Sequence, residues 1–390
     1  MGYEVVGTWR QFFHWGPLLA LGVIFTISWV TIRCDLMWWP PHLSIGGFIN
    51  FLLFVTWVAL TLYNYFAACM KGPGFIPLEW KPRNPDHMRY LQFCECCQGY
   101  KAPRSHHCRK CGRCVMKMDH HCPWINTCCG HFNHGNFCWF LLFAPIGCIH
   151  AIVILAPSIY RALNFHHYYY YKRDEPLVYL GVWGFVVTMF GVGLAIGVII
   201  AVGMLFYIQI KSVLKNETGI EGWIIEKALD RIRDDEEGEF VYPYDLGWKE
   251  NFKQVFRWSG RPKSNGFTWD VVQDCHQYTL TVEQLIQKQD KRDRTIEFVI
   301  TENYSGALCP VSKGLRIGCC VPCTDEPRIK VEEGDKVLVT RWKKRWLYGT
   351  KVLSGPVVGA DAAGKRIRGW FPRRCAVEII DDNMNDKKDS

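Results

Sequence analysis

Asp119-His120-His121-Cys122 runs straight into Pro123-Trp124, inside the densest group of metal-binding side chains in the sequence. A thiol is mostly protonated near neutral pH and acts as a nucleophile once a base removes its proton. A histidine supplies such a base, and a carboxylate beside it holds the imidazole in the needed tautomer. Asp119, His120 and Cys122 are the residue types for that arrangement, and a thioester carbonyl is a natural target for the thiolate. Neighbours on extended backbone point apart, so His120 can serve Cys122 while His121 binds metal.

Nine of the 19 cysteines fall between Cys94 and Cys129. The available ligands are Cys94, Cys96, Cys97, His106, His107, Cys108, Cys111, Cys114, His121, Cys128 and Cys129. Two residues between cysteines let both sulfurs turn to one metal, as in Cys94-x2-Cys97 and Cys108-x2-Cys111. With Cys114, Cys128 and two histidines they make eight ligands, enough for two tetrahedral zinc ions. Spacing alone leaves Cys96, the choice of His106 or His107, and the choice of Cys128 or Cys129 undecided. An odd cysteine total with tight pairs reads as metal binding and not as disulfides, which places the loop on a reducing, cytosolic side. Metal binding also replaces the hydrophobic core that so short a loop lacks.

The elements that must position this loop are apolar. Leu18 to Ile32, extended upstream by His14-Trp15-Gly16-Pro17, is the first run; Gly46 to Cys69, Phe137 to Ile159 and Val178 to Ile210 follow. Each is long enough to cross about 30 Å of hydrocarbon. Concentration into blocks explains how a chain that is 49% hydrophobic has a mean hydropathy of only -0.04. The fourth run exceeds what a crossing needs, so it tilts or continues beyond the bilayer. Gly193 and Gly197 stand there at the spacing that allows close helix approach. The runs hold few ionisable residues, which argues against an ion-conducting path.

Ten Lys or Arg lie between Lys71 and Lys117, against Arg33 alone in 33–45 and three in 161–177. The positive-inside rule therefore puts the cysteine-rich loop, and with four spans both termini, in the cytosol. The first run is too long for a cleavable signal peptide. A net charge of +9 suits an anionic membrane surface or a phosphate-bearing ligand. With four spans, no nucleic-acid role is expected.

The stretch 211–295 is polar, and Glu226 to Glu239 reads as a solvated helix or linker. Beyond Thr295 short β-like segments alternate with Gly and charged turns: 296–300, 335–340, 346–349 and 369–372. No repeat of solenoid period is read. The expected fold is an α-helical polytopic membrane protein with four transmembrane helices, a zinc-binding cysteine-rich cytosolic loop and a small C-terminal β-barrel. Its expected divisions are 1–69, 70–136, 137–211, 212–294, 295–380 and 381–390.

The motifs resemble the DHHC family of protein S-acyltransferases. The resemblance is carried by Cys94-x2-Cys97, Pro103-Arg104-x2-His107-Cys108-x2-Cys111-x2-Cys114, Asp119-His120-His121-Cys122-Pro123-Trp124, Asn126, Cys128, Gly130 and Asn133. Gly72-Pro73-Gly74 resembles the family's Asp-Pro-Gly motif, with Gly72 for Asp. Thr218-Gly219-Ile220-Glu221 resembles its Thr-Thr-x-Glu motif, and Gly219 removes the second hydroxyl. Tyr244-Asp245-Leu246-Gly247 with Asn251, Val255 and Phe256 resembles the tail motif that packs against the active site. The resemblance spans about residues 10–260.

It implies one zinc on Cys94, Cys97, His107 and Cys114, and a second on Cys108, Cys111, His121 and Cys128. It implies Cys122 as the acylated nucleophile, His120 as base and Asp119 as its orienter. The implied reaction takes a long-chain acyl group from acyl-CoA, such as palmitoyl-CoA, onto Cys122 and passes it to membrane-proximal cytosolic cysteines of protein substrates. The spans would enclose the acyl chain, with Trp124 and Gly147 at its cavity and small Gly147 admitting longer chains. The alternative is a non-enzymatic zinc-stabilised scaffold, for which Asp119 and Cys122 have no use.

In the tail, Ala307-Leu308-Cys309, Glu333-Gly334-Asp335, Trp346, Gly369-Trp370-Phe371-Pro372 and Val377-Glu378 resemble an SH3-like fold, which implies a groove for a Pro-rich ligand. An accessory membrane protein is a further partner that some family members use. Cys319, Cys320 and Cys323 read as surface cysteines facing the membrane and open to acylation themselves. Lys387 and Lys388 resemble a dilysine signal read by coat machinery, which implies the endoplasmic reticulum membrane.

Overall fold

The computed structural model describes residues 9–233, 237–257, 259–307, 310–324, 326–352 and 367–379. Leu308, Cys309, Lys387 and Lys388 lie outside them. The chain divides into two compact units, Met1–Gln284 and Leu285–Ser390.

The first unit is built on helices. In chain order they are α1 (Trp15–Trp38), α2 (Ile45–Met70), α3 (His134–Leu163), the short α4 (Phe165–Tyr171) and α5 (Gly181–Lys215). Of these, α1, α2, α3 and α5 are long and apolar enough to cross a membrane, and they coincide with the four apolar runs. Side-chain caps fix the starts of two: His14 Nδ1 accepts from Gly16 N, and Ser44 Oγ accepts from Gly47 N. The α3 helix packs on α1, α2 and α5. Val30, Phe54, Ala151, Ile154, Leu155 and Ala195 fill the space between them.

Two expectations about the spans are refined. At Gly193 and Gly197 an added Cβ would meet nothing within 4 Å, whereas at Gly191 it would lie 2.7 Å from Val30 Cγ2. Close approach of α5 to α1 thus falls at Gly191. A polar clasp also joins three of the spans. Asn50 of α2 donates to Asp35 of α1 at 2.7 Å, and its Oδ1 lies 3.0 Å from His150 Nε2 of α3.

Three β-hairpins lie between α2 and α3: β1 (Phe93–Cys94) with β2 (Gly99–Tyr100), β3 (His106–Cys108) with β4 (Arg113–Val115), and β5 (His120–Cys122) with β6 (Thr127–Cys129). After α5 come α6 (Gly219–Asp230), α7 (Trp248–Val255) and α8 (Thr279–Asp293). A capping box starts α6: Glu221 N donates to Thr218 Oγ1, and Thr218 N donates to Glu221 Oε2.

The second unit holds β7 (Ile296–Ile300), α9 (Leu315–Cys319), β8 (Lys336–Lys343), β9 (Trp346–Val352), β10 (Arg368–Pro372) and β11 (Ala376–Glu378). The strands fall where the sequence suggested, but they form one open antiparallel sheet in the order β10-β9-β8-β7-β11, not a closed barrel. Extended chain, not a partner strand, satisfies the β10 edge: Trp370 N donates to Pro327 O at 3.0 Å, and Ile329 N to Trp370 O at 3.2 Å. Trp346 is 0% and Trp370 3% exposed, packed with Phe298, Val337, Val339 and Phe371. Neither indole is offered to a ligand as a groove wall, because the small sheet needs both to fill its core. Cys319, Cys320 and Cys323 are exposed.

Candidate active site

The three hairpins repeat one pattern at 14-residue intervals: Cys94, Cys108 and Cys122 occupy matching strand ends. The cross-strand pairs match too, as Phe93↔Tyr100, His107↔Cys114 and His121↔Cys128. So do the turns, each with a left-handed residue: Gln98 (φ 50), Gly112 (φ 67) and Asn126 (φ 47). This repeat, much shorter than a solenoid period, is readable in the sequence once the three cysteines are aligned.

Each metal cluster joins the turn of one hairpin to the cross-strand pair of the next. The donor atoms of Cys94, Cys97, His107 and Cys114 lie within 4.8 Å of one another, as do those of Cys108, Cys111, His121 and Cys128. Within the first, His107 Nδ1 is 3.4, 3.4 and 3.9 Å from the three sulfurs. Within the second, His121 Nδ1 is 3.6, 3.5 and 3.7 Å from its sulfurs, and Cys111 lies 3.6 Å from Cys128. Tetrahedral zinc with its usual bond lengths requires ligand edges of about 3.5–3.8 Å. Both Cys3His quartets therefore fit zinc. His107 is chosen over His106 and Cys128 over Cys129, and exposed Cys96 joins neither quartet.

The third hairpin has the histidine–cysteine pair but not the second turn cysteine: Ile125 stands where Cys97 and Cys111 stand in the others. Cys122 is consequently a turn sulfur with no metal partner. It is buried, 3% exposed, among Tyr65, Cys69, Phe137 and Leu141. Gln11 O accepts from Asn126, and Trp124 O accepts from Tyr65. At Gly16, a Cβ would lie 2.0 Å from Pro123 O. The start of α1 is thus pressed against this turn, and only glycine fits there.

Asp119 Oδ2 lies 2.6 Å from His120 Nδ1, and the Cys122 side chain is close enough to favour a proton on His120. Burial alone would lower the His120 imidazole, but the Asp119 carboxylate and the neighbouring Cys122 raise it to about 9. Burial would raise Asp119, but its bond to His120, the neighbouring imidazoles and Gly219 N hold it well below the usual carboxylate range. Burial pushes the Cys129 thiol, also close to this pair, well up, so it stays protonated.

Two further groups hold the Asp119 carboxylate, neither legible in the sequence as its partner. Gln209, on the part of α5 that outlasts the crossing, donates to Oδ2 at 3.0 Å. Its Oε1 lies 2.8 Å from His134 Nε2 at the start of α3. Gly219 N donates to Oδ1 at 2.8 Å. The missing threonine hydroxyl therefore costs Asp119 no tether, because the first amide of α6 supplies one, where a helix start favours negative charge.

Behind this lies a buried ion pair. Arg104 donates to both Glu221 oxygens at 2.6 Å, to Asn216 Oδ1 at 3.1 Å and to Asn216 O at 2.6 Å. Tyr244 and Trp269 stack on the guanidinium, 4.2 and 4.7 Å away. Asn251, of the tail motif, donates to Leu214 O at 2.8 Å and accepts from Leu246 N. Lys117, also buried, donates to Asn216 Oδ1 at 2.7 Å. Burial and the Arg104 charge lower its ammonium to about 7.

A narrow apolar crevice of about 50 Å³ runs between α1, α2, α3 and α5, lined by Ile24, Phe54, Trp57, Thr61, Ala144 and Gly147 among others; Ile24 and Ala144 also pack against the cluster that holds Cys122. Trp124 does not line it. That indole is 42% exposed and packs edge-on against Trp15 at 5.5 Å.

Residues 87–226 match the family pattern described as DHHC palmitoyltransferase. The chain belongs to this family and is a protein S-acyltransferase. It is 51% identical to Palmitoyltransferase ZDHHC6 of Danio rerio, over 96% of this chain and 94% of the relative. It is 49% identical to Palmitoyltransferase ZDHHC6 of Homo sapiens, over 99% and 96%. Identity to the Probable protein S-acyltransferase 16 of Arabidopsis thaliana is 32%, over 61% of this chain and 82% of that one.

Proposed function

We propose that Cys122 carries the acyl group, with His120 as its base and Asp119 as the residue that orients and charges His120. The supporting observation is the 2.6 Å bond between Asp119 and His120, with Cys122 beside His120 in a hairpin whose turn sulfur, among the described residues, belongs to neither zinc quartet. The Cys122 proton passes to His120, and Asp119 stabilises the imidazolium. The thiolate attacks the acyl-CoA carbonyl, the C–S bond to CoA breaks, and the CoA sulfur leaves with the proton from His120. A substrate cysteine then gives its proton to His120 and attacks the Cys122 thioester. Cys122 leaves as thiolate and recovers its proton.

The two Cys3His quartets would hold zinc, which would fix the hairpin backbones around Cys122. The apolar crevice opens around the acyl chain, whose burial favours binding by about 0.8 kcal/mol per CH2. Gly147, in the wall of the crevice, leaves room for a longer chain, and Trp124 lies outside that wall. Basic residues of the loop meet the CoA phosphates. The loop and both termini face the cytosol, and Lys387-Lys388 directs the enzyme, through coat machinery, to the endoplasmic reticulum. Its substrates carry membrane-proximal cytosolic cysteines, and exposed Cys319, Cys320 and Cys323 are themselves acylated. An accessory membrane protein is the expected partner. A Pro-rich ligand would have to bind without Trp346 and Trp370.

The test is label transfer from alkyne-tagged palmitoyl-CoA to purified protein, wild type and Cys122→Ser, with Cys319, Cys320 and Cys323 replaced in both. A hydroxylamine-sensitive label that requires Cys122, with two zinc ions retained in the mutant, is expected. Loss of zinc in Cys122→Ser would make Cys122 a ligand and sink the assignment.

A further inference from the structure

A second pocket, of about 280 Å³, lies where α2 ends and α3 begins, under the segment that follows α7. Cys122 does not line it. Its polar side is a hydrogen-bonded chain: Lys71 Nζ donates to Asn136 Oδ1 at 2.7 Å, and Asn136 donates to Asn64 Oδ1 at 3.0 Å. Arg257 lines the pocket. Arg261 stands between Gly260 and Pro262, both of which line the pocket, and its charge, after burial, disfavours the Lys71 ammonium. No carboxylate lines the pocket. Among the described residues none of the three cations is ion-paired, and the nearby Glu250 and Asp270 are held by Lys253 and Lys263.

The apolar side is a ladder of rings. Phe256 meets Trp139 edge-on at 5.3 Å, Trp139 stacks on Phe143 at 5.5 Å, and Phe143 stacks on Trp57 at 6.2 Å. Trp57 lies 13 residues before the end of α2, about 20 Å down the helix at 1.5 Å per residue. Three unneutralised cations at the membrane boundary, above an apolar track into the hydrocarbon, match a lipid with a negative headgroup.

We propose that this pocket binds an anionic glycerophospholipid of the adjoining leaflet, its phosphate between Lys71, Arg257 and Arg261 and one acyl chain along the Phe256–Trp139–Phe143–Trp57 ladder. The proposal rests on α2 and α3 being spans, and not on the acyl-transfer chemistry, so Cys122 labelling serves as an independent control in the same samples.

The experiment is native mass spectrometry of the full chain in detergent, titrated separately with phosphatidylserine and phosphatidylcholine. One retained phosphatidylserine is expected, with phosphatidylcholine weaker. The Lys71→Gln/Arg257→Gln/Arg261→Gln protein should bind phosphatidylserine about a hundredfold more weakly, roughly fivefold per cation. Trp139→Ala should weaken it with all charges intact. Equal binding of the two lipids, or full binding by the triple variant, overturns the proposal. Displacement by free CoA or inorganic phosphate also overturns it, since it would give the cations to a soluble phosphate.

Discussion

At the scale of single residues, the proposed chemistry turns on the orientation of one imidazole. His120 is held by a carboxylate that is itself pinned by Gln209 and Gly219. Asp119→Asn keeps the shape but cannot stabilise the imidazolium. It should slow single-turnover labelling of Cys122 by about a thousandfold or more while two zinc ions remain bound; a near-normal rate would remove Asp119 from the mechanism. Lys117 makes a separate prediction. Its folded value is lowered to about 7, whereas a free lysine titrates near 10.4. Between those limits the unfolded chain binds the extra proton, so this residue makes stability rise with pH from about 7 towards 10. The rise in thermal midpoint from pH 7 to 9 should be smaller in Lys117→Met than in wild type. The zinc pairs and the Asp119–Cys122 run were legible because they lie within a few residues of one another. Gln209, Asn216 and Glu221 were not legible as partners, because their contacts join positions about 90 to 117 residues apart.

At the scale of elements, Cys122, the proposed nucleophile, occupies the place that Cys94 and Cys108 hold in the metal-binding turns. Ile125→Cys would restore the pair that the other two turns possess. In that variant zinc should inhibit Cys122 labelling and a mild chelator should restore it, whereas wild type should not be inhibited by the same zinc. Failure of zinc to distinguish the two proteins would mean that the third turn differs in more than one side chain. The repeat was open to inspection in the sequence. The choice of ligands was not, since a quartet is shared between hairpins and depends on cross-strand register. The tail shows the opposite balance: alternating residues placed the strands, but closure depends on which edges pair, and here extended chain at 327–329 takes the place of a closing strand.

At the scale of the whole molecule, four apolar runs became four helices with little change of boundary, because burial in lipid needs length and composition and little else. Their mutual packing needed the structure, as the shift of close contact from Gly193 and Gly197 to Gly191 shows. The crevice between them sets the remaining prediction. Gly147 faces Trp57 Cβ at the distance of an ordinary contact, 3.4 Å for an added Cβ. Gly147→Phe should fill part of the crevice and move the acyl-CoA preference towards shorter chains. The readout is Cys122 labelling across a series of acyl-CoA lengths, and an unchanged profile would place the acyl chain elsewhere.

The tether from Gly219 to Asp119 joins residues 100 positions apart, and it has a consequence for biosynthesis. While the chain is being made, Cys122 and both zinc turns are complete long before α5 exists. On the proposed chemistry, Asp119 gains its Gly219 tether only after α5 has been made and Gly219 has left the ribosome. A half-made chain would therefore carry Cys122 without the full apparatus proposed to arm it, and competence would arrive together with completed insertion.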